Sequence, residues 1–303
     1  MKKEERYFTY AKKHFACLEG KGVILTGATG GIGKAAARLL ASLGCRLLFL
    51  VRNARAGEEL ATKLESEYGV EAKICSYDSL DRAAVSKVLS FLESEKPYDY
   101  FLSIAGIYHQ PAKMIDGIEQ TFRVNCLASL ELILRLSEAY PAMESVQTLS
   151  LTYRTKPHYK ESDLASAASF KRYLASVDSK NERYGLSKRF LMQALIVARN
   201  RGVRIALTHP GVVCTNLFNP KNKAYPGWFY HVAPPLMRVI FMPAEEAALS
   251  LLQAASDGTE EGKIVGPGGF LHAWGFPKAY SYQQSVHRDE ERIASLLEDL
   301  IHL

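Results

Sequence analysis

The chain has 303 residues, 48% hydrophobic and 23% charged, the balance of a globular protein large enough to bury a sizeable core. Its net charge of +6 is spread along the sequence, and the lack of a basic block interleaved with aromatics argues against a nucleic-acid partner. No stretch approaches the roughly 18 apolar residues of a membrane span, residues 1–20 lack the apolar core of a signal peptide, and five scattered cysteines read as reduced thiols in a cytoplasmic setting.

Residues 1–20 read as an added helix or arm, and residues 21–303 as one domain. Val23 to Gly33 is an apolar strand that breaks into the glycine turn Thr26-Gly27-Ala28-Thr29-Gly30-Gly31-Ile32-Gly33. An Ala/Leu-rich helix follows over Lys34–Leu43, closed by Gly44. Strands over Arg46–Val51, Val70–Ser76 and Tyr98–Ala105 then alternate with helices over Gly57–Tyr68 and Leu80–Glu95. A long helix is expected over Ile115–Ala139, a fifth strand over Val146–Leu151, a short helical piece around Ala165–Leu174, a helix over Glu182–Arg199 and a sixth strand over Val203–Leu207. Residues 213–243 are loose and rich in proline and aromatics, with Trp228, Phe229 and Tyr230, and read as a substrate loop inserted near the C-terminus. A helix over Ala244–Ala255, a short last strand over Lys263–Val265 and a terminal helix over Asp289–Ile301 complete the pattern. Strands apolar on both faces and alternating with helices predict an α/β fold, a doubly wound parallel sheet.

In the glycine turn, Gly27 suits the tight backbone, Gly31 leaves room for a phosphate-bearing ligand against main chain, and Gly33 lets the helix lie close to the sheet. The positive end of that helix faces the same point. Further on, Tyr184 stands four residues before Lys188 at the start of a helix, which puts phenol and ammonium on one face. A nearby cation favours phenolate, so the Tyr184 pKa is expected to fall from about 10 toward a value useful in proton transfer. His109, His158 and His209 show no metal-like spacing and read as surface or core histidines.

With the glycine turn and the Tyr184/Lys188 pair in this order, the chain resembles the short-chain dehydrogenase/reductase family over about residues 20–303, its tail most similar to retinol-dehydrogenase-like members. The resemblance implies a Rossmann-type fold and cofactor contacts from Thr26, Gly27, Thr29, Gly31, Ile32 and Gly33. It places Asp78 near the adenine, and Pro210, Gly211, Val213 and Thr215 near the nicotinamide end. Ala105 and Gly106 allow close approach to the cofactor, and Tyr184 and Lys188 touch it as well. It also implies catalytic roles for Tyr184, Lys188, Asn125 and a serine, for which Ser150 is slightly preferred over Thr152 because the alignment leaves both open. Ile104 stands where the family keeps an asparagine.

The second strand ends Val51-Arg52-Asn53 with no acid until Glu58. An acid there accepts hydrogen bonds from a ribose 2′-hydroxyl, whereas Arg52 offers a donor fork to a 2′-phosphate. NADP(H) is therefore the expected cofactor, with NAD possible. The expected activity is hydride transfer between the nicotinamide and an apolar carbonyl or alcohol, in a homodimer or homotetramer. The alternative, motivated by Ile104 and the open serine position, is a cofactor-binding regulatory or low-turnover protein of the same fold.

Overall fold

Five consecutive residues, Gly22–Thr26, form β1 in the interior of the sheet, buried because helices cover both of its faces. The structure is a computed structural model and describes residues 4–108, 110–213, 242–258 and 261–302. Ahead of β1 lies α1 (Glu5–His14). After it come α2 (Gly31–Ser42), β2 (Arg46–Val51), α3 (Ala54–Tyr68), β3 (Ala72–Ser76), α4 (Ala84–Glu93) and β4 (Tyr100–Ser103). A small hairpin, β5 (Met114–Ile115) and β6 (Ile118–Glu119), leads into α5 (Gln120–Phe122), a π-helical turn (Arg123–Leu127) and α6 (Ala128–Ala139). The remainder comprises β7 (Glu144–Thr148), α7 (Ala167–Ala175), α8 (Lys180–Asn200), β8 (Ile205–Thr208), α9 (Ala244–Asp257), β9 (Lys263–Pro267), β10 (Pro277–Ser281) and α10 (Glu290–His302).

The eight-stranded sheet runs β3-β2-β1-β4-β7-β8-β9-β10, parallel except where β10 pairs antiparallel with β9. Alternate residues of each inner strand enter opposite cores, as strand geometry requires. Ile24, Leu48 and Phe101 meet Leu130 and Ile133 of α6 and Phe190 and Leu191 of α8 on one side. Val23, Leu25, Leu47 and Phe49 meet Ala36, Leu39 and Leu40 of α2 and Leu249 and Leu252 of α9 on the other. Tyr7 and Ala11 of α1, with Phe15 and Leu18, extend this second core, and the Tyr7 hydroxyl donates to Glu246 of α9 at 2.6 Å.

Four expectations need correction. The helix expected from Ile115 begins five residues later, because Asp116 and Gly117 both adopt positive φ (52° and 76°) and turn a hairpin, the geometry an Asp-Gly pair favours. Glu119 then caps the helix by accepting from the Thr121 and Phe122 amides. The expected helix start at Leu80 is a turn in which Asp78 and Asp81 side chains accept from Leu80 and Ala83 amides, delaying α4 to Ala84. The fifth strand ends at Thr148, and Ser150 caps a 3₁₀ turn over Leu151–Arg154 by accepting from the Thr152 amide. Lys263–Pro267 is not the last strand: β10 follows as a half-exposed edge. Of the expected substrate loop, residues 214–241, and with them Thr215, Trp228, Phe229 and Tyr230, lie outside the described residues, as do His109 and Cys214. Its two ends, Val213 and Met242, form a parallel bridge.

Candidate active site

Strand order reverses between β1 and β4, the place where an open α/β sheet leaves a crevice at the carboxyl ends of its strands. A groove of about 440 Å³ opens there. Its floor is the glycine turn. Gly27 has φ +69°, and a Cβ on it would lie 2.9 Å from the Ala105 nitrogen, so a larger residue is excluded by both backbone and space. A Cβ on Gly33 would lie 2.0 Å from the Gly27 carbonyl oxygen. Gly33 thus lets the helix close on the turn itself, where closeness to the sheet was expected.

Thr29, Gly31, Ile32 and Gly33 line this floor, Arg52 stands at the end of β2, Asp78 just past β3, and Ala105 and Gly106 past β4. The first turn of α2 has no side-chain cap, which leaves it suited to an anion. Leu50, Tyr77 and Leu80 supply apolar walls near Asp78. These residues fit a dinucleotide: glycines where main chain must approach, a helix N-terminus for pyrophosphate and an exposed arginine at one end.

Thr26 and Asn125 serve the groove from behind. The Thr26 hydroxyl accepts from the Ile104 and Ala105 amides at 3.0 and 3.2 Å, fixing the end of β4 against β1. Asn125, fully buried in the π-helical turn, accepts from the Ile107 amide and donates to the Ile107 carbonyl, both at 2.8 Å. Pro210, Gly211 and Val213 are not in the groove wall, but Val213 belongs to an apolar cluster with Met242 and Ala247 against which Ile32, a wall residue, packs.

Tyr184 and Lys188 rise from the first half of α8, where nearly every residue from Gly185 to Ala198 is buried. The Lys188 ammonium donates to the Thr148 carbonyl at 3.0 Å. A Cβ on Gly106 would lie 3.7 Å from it and 3.1 Å from Asn125 Oδ1, so Lys188, Asn125 and the groove edge converge. Ser150 is the side chain that draws the Tyr184 phenol toward ionisation, and the Tyr108 ring meets Tyr184 edge-on at 4.7 Å. Thr152 instead leaves its hydroxyl buried without a partner among the described residues. The structure therefore brings Ser150, not Thr152, to the tyrosine.

The electrostatics run against the sequence expectation. Burial pushes Tyr184 up to about 12, with Ser150 pulling the other way and Tyr108 adding to the rise. Burial also holds Lys188 down at about 8. Spacing of four residues does place the two on one helix face, but Lys188 reaches past Tyr184 to the end of β7, and desolvation dominates both groups.

Sequence reasoning missed Tyr108, Ile107, Gln110 and Gln120, all on the groove. For Ile107, Tyr108 and Gln110 position alone was the signal, since residues beyond the carboxyl end of a central strand face the crevice; Gln120, at the start of α5, had none. Among the described residues, no group of three or more His, Cys, Asp or Glu could hold a metal, and no helix is long and apolar enough to cross a membrane. Cys17, Cys45, Cys75 and Cys126 are free thiols.

The family described as short chain dehydrogenase matches residues 21–148. WW domain-containing oxidoreductase of Drosophila melanogaster is 25% identical over 252 residues, covering 80% of this chain, which spans only 60% of that protein's length. Retinol dehydrogenase 14 of Mus musculus is 29% identical over 273 residues, 80% of this chain and 76% of the relative. The solved L-sorbose reductase of Gluconobacter frateurii, complexed with NADPH and L-sorbose, superposes with a TM-score of 0.56 at 17% identity over 79% of this chain and 90% of that one, a likeness of fold. Glycine turn, crevice, relatives and fold agree, and the chain belongs to the short-chain dehydrogenase/reductase family of oxidoreductases.

Proposed function

We propose that the protein is an NADP(H)-dependent oxidoreductase that interconverts an apolar carbonyl compound and its alcohol. The observation that carries this reading is Tyr184, with Ser150 as its neighbour, packed against Tyr108 of a glycine-floored groove. Bound in the groove, the nicotinamide supplies or accepts the hydride. Tyr184 gives its phenolic proton to the carbonyl oxygen in reduction and recovers it in oxidation. The neutral phenol favoured by burial is the form that reduction consumes. Ser150 holds the substrate oxygen. Lys188 binds the cofactor ribose and, charged, favours ionisation of Tyr184 once solvent is displaced. Asn125 fixes the Ile107 backbone that borders the groove.

Arg52 supports the choice of NADP(H), being exposed on the groove at the end of β2 with no acid at that strand end to repel a 2′-phosphate. The apolar substrate is supported by the name of the relative retinol dehydrogenase 14 and by the aromatic composition of residues 213–243. The free cysteines suit a cytoplasmic setting, and the family suggests a homodimer or homotetramer. The test is nicotinamide absorbance with purified protein, NADPH or NADH, and a panel of aldehydes and ketones of increasing chain length. NADPH consumption that rises with chain length is expected; binding of NADPH with no consumption across the panel favours the low-turnover alternative.

A further inference from the structure

His209, which by sequence reads as a surface or core histidine, is fully buried directly ahead of the Pro210–Val213 segment. Its amide donates to the Val265 carbonyl at 2.9 Å. Its Nδ1 accepts from the Gly211 amide at 3.1 Å, so Nδ1 is unprotonated and Nε2 carries the hydrogen. That Nε2 is hydrogen-bonded to the hydroxyl of Tyr280, on the antiparallel edge strand β10. The ring fits only because residue 266 is glycine: a Cβ there would lie 2.2 Å from Nε2.

The same short stretch is held from two further sides. Gly211, at φ +74°, would bring a Cβ within 2.6 Å of the Ala273 carbonyl oxygen, and the Val212 amide donates to that oxygen at 3.0 Å. Val213 joins Met242 and Ala247 in a small apolar cluster against which Ile32 of the glycine turn packs. Tyr280 in turn stacks on His272 at 3.7 Å, and His272 Nδ1 is hydrogen-bonded to the Pro267 carbonyl at 3.2 Å. A continuous path of contacts therefore runs from the β9–β10 hairpin through His209 and Gly211 to the floor of the groove.

We propose that His209 is a positioning residue for the nicotinamide end of the cofactor, its neutral imidazole setting the Pro210–Val213 backbone while Tyr280 anchors it to the C-terminal hairpin. This rests on the proposed function and on the family resemblance that puts Pro210–Val213 near the nicotinamide end; the segment meets the groove through the cluster that Ile32 packs on. A buried imidazole whose Nδ1 accepts from the amide two residues on does the work of an Asx turn in the next helix or strand connection, but with a second nitrogen left over to tie in another strand. The antiparallel strand β10, added beyond the seven parallel strands, is thereby given a task at the site.

The test compares wild type, His209→Asn, His209→Ala and Tyr280→Phe by fluorescence titration with NADPH and with 2′,5′-ADP, which carries the adenine and both phosphates near it but no nicotinamide. Wild type binds both. His209→Ala weakens NADPH about ten-fold while 2′,5′-ADP changes by less than about two-fold, the loss expected from one buried hydrogen bond and its unpaired partner. His209→Asn, whose side-chain oxygen takes the Gly211 amide in an Asx turn, recovers most of the NADPH affinity, and Tyr280→Phe loses NADPH selectively. Equal weakening of both ligands in His209→Ala and Tyr280→Phe overturns the proposal, as does His209→Asn no better than His209→Ala. If His209→Ala does not fold, His209→Asn and Tyr280→Phe decide by the same NADPH to 2′,5′-ADP ratio. Wild type that binds 2′,5′-ADP but gains nothing from the nicotinamide overturns this assignment alone; wild type that binds neither overturns the proposed function and this with it.

Discussion

Replacing Lys188 by methionine should make the cofactor-free protein more stable while removing its activity. The ammonium is 3% exposed and donates to one carbonyl, that of Thr148. Burial holds its pKa near 8 from a reference of 10.5, and at about 1.4 kcal/mol per unit the charged side chain costs roughly 3 kcal/mol. Methionine of similar length removes that cost and loses one hydrogen bond of about 1 kcal/mol. The balance is about 2 kcal/mol in favour of the variant, a rise of roughly 4 °C in Tm for a chain of this size. The pH dependence carries the sign. A lysine with a depressed folded pKa holds fewer protons folded than unfolded between about 8 and 10.5, so wild type gains stability as pH rises through that window. The cost is fully present below pH 8. Tyr184, raised to about 12, and the buried thiol of Cys45, also raised to about 12, act in the opposite direction at high pH. The readout is therefore the difference between wild type and Lys188→Met, in which they cancel. Calorimetry at pH 7 and pH 9.5 with a turnover assay checks it. A variant less stable than wild type at pH 7, or a difference that does not shrink by pH 9.5, would refute the reasoning.

Arg52→Asp should weaken NADPH by about 10- to 100-fold, the loss of charge-assisted hydrogen bonds, and leave NADH within a few-fold; titrating both cofactors checks it, and an unchanged ratio means the 2′ end is read elsewhere. Ser150→Ala should cut turnover steeply while Thr152→Val leaves it near wild type, because only Ser150 meets Tyr184; the reverse order in a steady-state assay would move the substrate oxygen to Thr152. Gly33→Ala should abolish cofactor binding and lower Tm, since its Cβ would lie 2.0 Å from the Gly27 carbonyl; near-normal NADPH affinity would show that the turn relaxes freely.

Much of the scaffold was legible because its signals are local. Arg46–Val51 is a strand with the boundaries its apolar run implies, and the glycine turn sits at the crevice that strand order creates. Tyr184 and Lys188 share a helix as their spacing requires. What was hidden depends on tertiary contacts. β10 carries exposed, mostly polar residues and exists through its pairing with β9, so no periodicity marks it. Thr26 and Asn125 bind main chain of the β4 end, and nothing local distinguishes that from contact with a ligand. The direction of the Tyr184 shift was misjudged because a motif shows neighbours along a helix but not the depth at which they are buried. Ser150 and Thr152 were separated by the early end of β7, a boundary of the kind sequence fixes least well.

The most direct test of proton transfer by Tyr184 is Tyr184→Phe, which keeps the ring against Tyr108 and removes the hydroxyl. NADPH affinity and NADPH consumption with a reactive aldehyde are measured on the same preparations of wild type and variant. The expected result is an unchanged dissociation constant and a turnover number lower by about 10²- to 10⁴-fold, the range for loss of a general acid. A variant that binds NADPH and consumes it at the wild-type rate would contradict the account.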